Sequence, residues 1–103
     1  MTETDLMRQI MVALSADGHF VARANVGLFF TADGRPVKTG LPKGFSDLFG
    51  NRASDAKAFY LEVKTATGRA SPEQLAFIAA MKKRGALAGI VRSVEEARRA
   101  LAG

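Results

Sequence analysis

Apolar residues near the start of the chain return every three or four positions. Leu6, Ile10 and Leu14, joined by Met7 and Ala13, form one stripe, which predicts a helix from residue 3 to about 16. Asp17-Gly18 is a stop signal. The period then shortens. "HFVARANVGLFF" (19–30) is rich in strand formers and reads as one long strand, or as two pieces broken near Asn25–Gly27. "TADGRPVKTGLPKG" (31–44) has three glycines, two prolines and no periodicity, which predicts a loop long enough to have a function. "FSDLFGN" and "AFYLEVKT" read as strands joined through "RASDAK" as a hairpin. "SPEQLAFIAAMKKRG" is a strongly signalled helix: Ser71 at the N-cap, Pro72 at the first position, Gln74 completing a capping box, and Gly85 at the end. "ALAGIVR" is a further strand, and "SVEEARRALAG" a last helix opened by a second box, Ser93 with Glu96. The order α-β-β-β-α-β-α, without repeat or linker, predicts a single α/β domain over residues 1–103 with a mixed sheet of about four strands flanked by helices. The strands either side of helix 71–84 should be parallel.

One strand breaks the expected pattern. In "FYLEVKT" (59–65), Phe59, Leu61, Val63 and Thr65 share one face, while Tyr60, Glu62 and Lys64 share the other. The charged face is either the wet side of a sheet, with a Glu-Lys pair worth well under 1 kcal/mol, or a site. Closing the hairpin around residues 51–58 brings Asp47 opposite Glu62, within the roughly 5 Å of a cross-strand pair. Two carboxylates so close repel unless a proton or a cation lies between them. With Lys64 one pleat away, the set suits a magnesium ion, which favours one or two carboxylates together with phosphate oxygens.

Two other residues point the same way. Glu3 lies on the apolar stripe of the first helix and Asp5 away from it, so Glu3 either complements the helix dipole or joins the acidic group. Gln74 shares its helix face with Phe77, Ile78 and Met81 and can point at the sheet, although capping alone explains a glutamine there.

Composition narrows the chemistry. There is no cysteine and one histidine, His19, so thiolate and multi-histidine metal sites are excluded. The N-terminal residues lack the basic region of a secretory signal, and no apolar run approaches the roughly 20 residues of a membrane span. The expectation is an intracellular protein that uses neither a membrane nor a small organic cofactor. A net charge of +5 favours a polyanionic partner. Once Glu3, Asp47, Glu62 and Lys64 are set aside, seven acids face fourteen basic residues. Arg23, Arg35, Lys38, Lys43 and Arg69 lie in segments that should rim the site and are the candidates for phosphate contact. Lys82, Lys83 and Arg84 read instead as a solvated helix end. With one tyrosine and no tryptophan, few exposed aromatics are expected, which favours reading of duplex backbone over unpaired bases.

Taken in order, Glu3, "RANVG", "KGFSDLFG", "FYLEVKT" and "SPEQLAFIAAMKKRGALAGIVRSVEEA" resemble the PD-(D/E)XK nuclease superfamily, and within it a stand-alone VRR-NUC domain of the phage and bacterial type. The resemblance departs at Ser46, where proline is usual. It implies a restriction-endonuclease-like core and a Mg²⁺- or Mn²⁺-dependent DNA endonuclease. Asp47, Glu62 and the Val63 carbonyl would hold the metal. Lys64 would orient the attacking water, Glu3 would complete the acidic group, and Gln74 would hold a water or the lysine. It also implies a preference for branched DNA, such as a Holliday junction, and a homodimer, since one site cuts one strand. A catalytically silent, basic DNA-binding module is the alternative, and RNA as the target stays open because nothing in the sequence reads a 2′-hydroxyl.

Overall fold

The computed structural model describes all 103 residues. The first helix, α1 (Glu3–Ala16), opens with a capping box that the sequence reading did not anticipate. Thr2 Oγ1 accepts the Asp5 N–H at 3.1 Å, and the Asp5 carboxylate accepts the Thr2 N–H at 3.2 Å. Asp5 is therefore exposed and occupied at the helix end, while Leu6, Met7, Ile10 and Leu14 are buried.

Residues 19–30 form two strands that belong to different sheets: β1 (Phe20–Arg23) and β2 (Leu28–Phe30). The expected loop at 31–44 is not structureless. It contains β3 (Pro36–Lys38), antiparallel to β2, so that Phe29 pairs with Val37. The turn between them is held by the Thr31 N–H donating to Arg35 O at 2.8 Å, with Gly34 at a φ of 86°. Ala-Asp-Gly is ordinary turn chemistry, and here it closes a hairpin within what the glycines and prolines mark as a loop.

The main sheet has β4 (Leu48–Asn51) and β5 (Ala58–Val63) at its centre, in the order β1-β4-β5-β6 with β6 at Leu87–Val91. β4 is antiparallel to both neighbours, whereas β5 and β6 are parallel and connected through α2 (Pro72–Lys83), as expected. The two central strands are shorter than predicted, beginning at Leu48 and ending at Val63. α3 (Val94–Leu101) completes the chain. Its capping box is offset: Ser93 Oγ accepts the Glu96 N–H, but the Glu96 carboxylate accepts from Arg92, one residue before the cap.

Helices α1 and α3 cover one face of the sheet. Their Leu6, Ile10, Leu14, Ala97 and Leu101 pack on Leu48, Phe59, Leu61, Val63 and Val91. Gly50 is required in this layer, since a Cβ there would sit 1.8 Å from the Phe20 carbonyl oxygen and 2.8 Å from the Phe59 ring. Helix α2 covers the other face. There Phe45, Phe49, Tyr60 and Phe77 form an aromatic cluster, with Phe45 and Phe77 centroids 4.7 Å apart. The face that carries Tyr60, Glu62 and Lys64 is therefore interior. His19 is structural: its Nδ1 accepts the Ala53 N–H at 2.9 Å, tying the β4–β5 turn to β1.

Candidate active site

The site lies where β4 begins and β5 ends, under the N-terminus of α2. The antiparallel pairing ends at Leu48 with Leu61, and just beyond it Asp47 is a side-chain neighbour of Glu62. Two bonds set the position of Asp47. Its carbonyl accepts the Ala24 N–H at 2.8 Å, and its Oδ2 accepts the Val63 N–H at 2.9 Å. Ser46, in the position where proline was expected, is buried and donates its hydroxyl to Leu48 O at 2.9 Å, holding the chain as it enters the strand. Gly44 allows that segment to lie against α2: its φ is 90°, and a Cβ there would be 2.4 Å from the Glu73 carbonyl oxygen. The aromatic cluster around Phe45 anchors the same turn.

Glu62 is 1% exposed, in the middle strand of the sheet. Its Oε1 accepts from Gln74 Nε2 at 3.0 Å and lies 3.8 Å from Lys64 Nζ. Its Oε2 is buried with no hydrogen-bond partner. Burial, and then the neighbouring Asp47 carboxylate, push the Glu62 carboxyl up to about 9; Lys64 opposes this and Glu3 adds to it more weakly. The partly buried Lys64 pair is too long to be a good charge-assisted hydrogen bond. A buried anion with one bare oxygen is costly unless a proton or cation satisfies it.

Gln74 does both things that the sequence left as alternatives. Its N–H donates to Ser71 Oγ at 3.1 Å and its Oε1 accepts the Ser71 N–H at 2.8 Å, which completes the cap, while its Nε2 reaches Glu62. Capping uses the amide oxygen and leaves the amide nitrogen for the carboxylate.

The structure thus brings Asp47, Glu62, Val63, Lys64 and Gln74 together. Glu3, on the half-buried side of α1, is near enough for its charge to act on Glu62. No three Asp, Glu or His side chains close on one point, so carboxylate donors to an ion would be the Asp47 and Glu62 pair, with oxygens of other kinds completing the set. That pair could hold a hard dication: the buried Glu62 Oε2 has no hydrogen-bond partner in the protein, and both side chains offer oxygen only.

The basic candidates divide. Arg23 and Lys43 line a cleft of about 360 Å³ together with Asp47 and Gln74. Lys43 also pairs with Glu73 at 3.4 Å, on the surface. Lys38 lines an adjoining groove with Leu28 and Leu41. Arg69 is exposed in the segment between β5 and α2. Arg35 lies at the turn of the β2–β3 hairpin, paired with Asp33 at 3.1 Å, and does not line the cleft. Lys82, Lys83 and Arg84 are exposed at the end of α2, as read.

Two features escaped the sequence reading. Arg92 is half-buried and donates to the carbonyls of Thr65 and Gly68, fastening the turn that follows Lys64. An arginine after a strand gives no sign of this, because its partners are backbone atoms 24 and 27 residues away. The aromatic surface is also larger than the composition implies: Phe20, Phe29 and Phe30 are 59%, 50% and 67% exposed. A count of aromatic types did not reveal it because these are phenylalanines on a strand end and on a hairpin that joins no larger sheet. The adjacent pair in "LFF" was the available signal, since neighbouring strand residues face opposite ways.

A four-stranded mixed sheet with helices on both faces, bearing an acid pair and a lysine at the end of its central strands, defines a restriction-endonuclease-like α/β domain. The sequence profile of the VRR-NUC domain matches residues 33–95, and the chain belongs to that family of nuclease domains. A solved structure described as a VRR_NUC domain is similar to it at a TM-score of 0.66 and 21% identity, covering 94% of this chain and 90% of the other. A second, described as a VRR_NUC domain protein, gives a TM-score of 0.61 at 16% identity, over 93% of this chain and 81% of the other. Among curated proteins, no sequence matches significantly. No helix is long and apolar enough to cross a membrane.

Proposed function

We propose that this VRR-NUC domain is a divalent-metal-dependent endonuclease that hydrolyses phosphodiester bonds in DNA, acting on branched or junction substrates as a homodimer. One observation carries the proposal: a fully buried carboxylate, Glu62, faces a second acid and a lysine and keeps one oxygen without a partner. A silent binding module gains nothing from such a group, which costs stability in the absence of a ligand.

Asp47 and Glu62 would hold Mg²⁺ or Mn²⁺, with the Val63 carbonyl as a further oxygen donor. Such an ion, when bound, supplies Lewis acidity toward a phosphoryl oxygen and acidifies water. Lys64 brings fixed positive charge to the side of the carboxylates where the scissile phosphate enters, and stabilises negative charge as it develops there. Gln74 orients Glu62, and its own orientation is set by Ser71. Glu3 adds negative charge that raises the demand for a cation. Arg23 and Lys43 draw the phosphate backbone into the cleft, and Lys38 and Arg69 extend the basic rim. A domain with one site cuts one strand, so paired cuts across a junction call for two copies.

The test is incubation of supercoiled and four-way-junction DNA with Mg²⁺ or Mn²⁺, then with EDTA, for the wild type and Glu62→Gln. Ion-dependent cutting that the variant lacks supports the proposal. Tight binding of junction DNA with no cutting under any ion would instead identify a binding module.

A further inference from the structure

The β2–β3 hairpin is paired with nothing else in the sheet, and its apolar side chains have no core to fill. An isolated two-stranded ribbon is marginal by itself, so exposing phenylalanines on it does not serve its stability. The register separates two faces. Phe29 and Val37 share one, while Leu28, Phe30, Pro36 and Lys38 share the other. Of these residues only Phe29 lines the cleft, together with Arg23, Lys43, Asp47 and Gln74.

We infer that Phe29 stacks on an unpaired nucleobase beside the scissile phosphate, so that the hairpin selects nucleic acid with an open or displaced base. The inference rests on the nuclease proposal above. An aromatic face is sequence-tolerant in stacking, because every base offers a π-surface. Arg23 and Lys43 line the same cleft as Phe29 and can meet the phosphates that flank a stacked base, and apolar side chains commonly wedge into opened base steps. A second copy of this chain is the poorer occupant: it carries the same +5 charge and would bring cations against Arg23 and Lys43. The preference for duplex backbone over unpaired bases rested on few exposed aromatics, whereas Phe20, Phe29 and Phe30 are exposed.

Two duplexes of equal length distinguish the outcomes, one fully paired and one with a single unpaired 2-aminopurine. Binding of each is measured in EDTA for the wild type, Phe29→Ala and Phe29→Tyr, alongside sedimentation of each protein. Phe29 is half exposed, so both variants should fold, and their melting curves confirm it. The wild type should prefer the unpaired-base duplex, with a change in 2-aminopurine emission on binding. Phe29→Tyr should keep that preference, and Phe29→Ala should lose about 5- to 150-fold of it, the range spanned by one base–aromatic stack. An unchanged preference in Phe29→Ala overturns the inference. So does a loss of self-association in Phe29→Ala with the DNA preference intact, which would place a second copy on this face. The readout is binding without metal, so absence of cutting in the nuclease test overturns the nuclease reading separately.

Discussion

Replacing Glu62 by Gln should make the metal-free protein more stable while abolishing cutting. In the wild type, the folded chain buries a carboxylate whose Oε2 has no partner. An unsatisfied buried group costs about 1–3 kcal/mol, more when charged. The glutamine amide has nearly the same shape, carries no charge and can donate to Asp47. A gain of at least about 1–3 kcal/mol is therefore expected at alkaline pH, where the group is charged, worth about 4–8 °C in Tm per kcal/mol for a domain of this size. The pH dependence follows from the carboxyl being raised from 4.5 to about 9. A group raised on folding contributes stability that is complete below its unfolded value and is lost as pH climbs through the folded one. Wild-type Tm in EDTA should therefore decline between about pH 5 and 9, and the variant's should stay flatter, so that their difference grows with pH. Mg²⁺ should restore the wild type and leave the variant unchanged. Thermal melts across pH, with and without Mg²⁺, give the whole pattern. If the variant melts lower than the wild type in EDTA at pH 8, Glu62 is a satisfied partner in a structural ion pair with Lys64, and the reasoning fails.

Lys64→Ala should lose cutting by about 10²–10³-fold while retaining most metal affinity; a calorimetric titration that detects no metal binding would refute the division of roles. Gly50→Ala should be destabilised by about 1–3 kcal/mol in urea melts, because its methyl would overlap the Phe20 carbonyl. Binding of duplex DNA should weaken steeply with salt, and Arg23→Ala with Lys43→Ala should flatten that slope, since both line the cleft. Asp17 and Asp55, held by Arg98 and Arg52, have carboxyls lowered below their ordinary 3.8. Their stabilisation is present above that value and fades as pH falls through the lowered ones, so the double Asn variant should lose less Tm in acid than the wild type.

The helices and the central strands were determined by local sequence. An apolar period of about 3.6, serine caps and a terminal glycine need only neighbours a few residues away, and α1, α2 and β4–β6 were legible for that reason. Hairpin closure even placed Asp47 against Glu62, because antiparallel register makes partners sum to a constant, and the observed pairing keeps that sum. Three things were decided only by the tertiary structure. Packing of α2 on the charged face of β5 made Glu62 interior, which a two-residue alternation could not distinguish from a wet face. The direction of the Gln74 amide let one residue cap a helix and hold a carboxylate, two jobs between which its sequence position did not choose. The detachment of β2–β3 from the main sheet left its phenylalanines in solvent, because burial depends on which elements meet, and strand propensity carries no record of that.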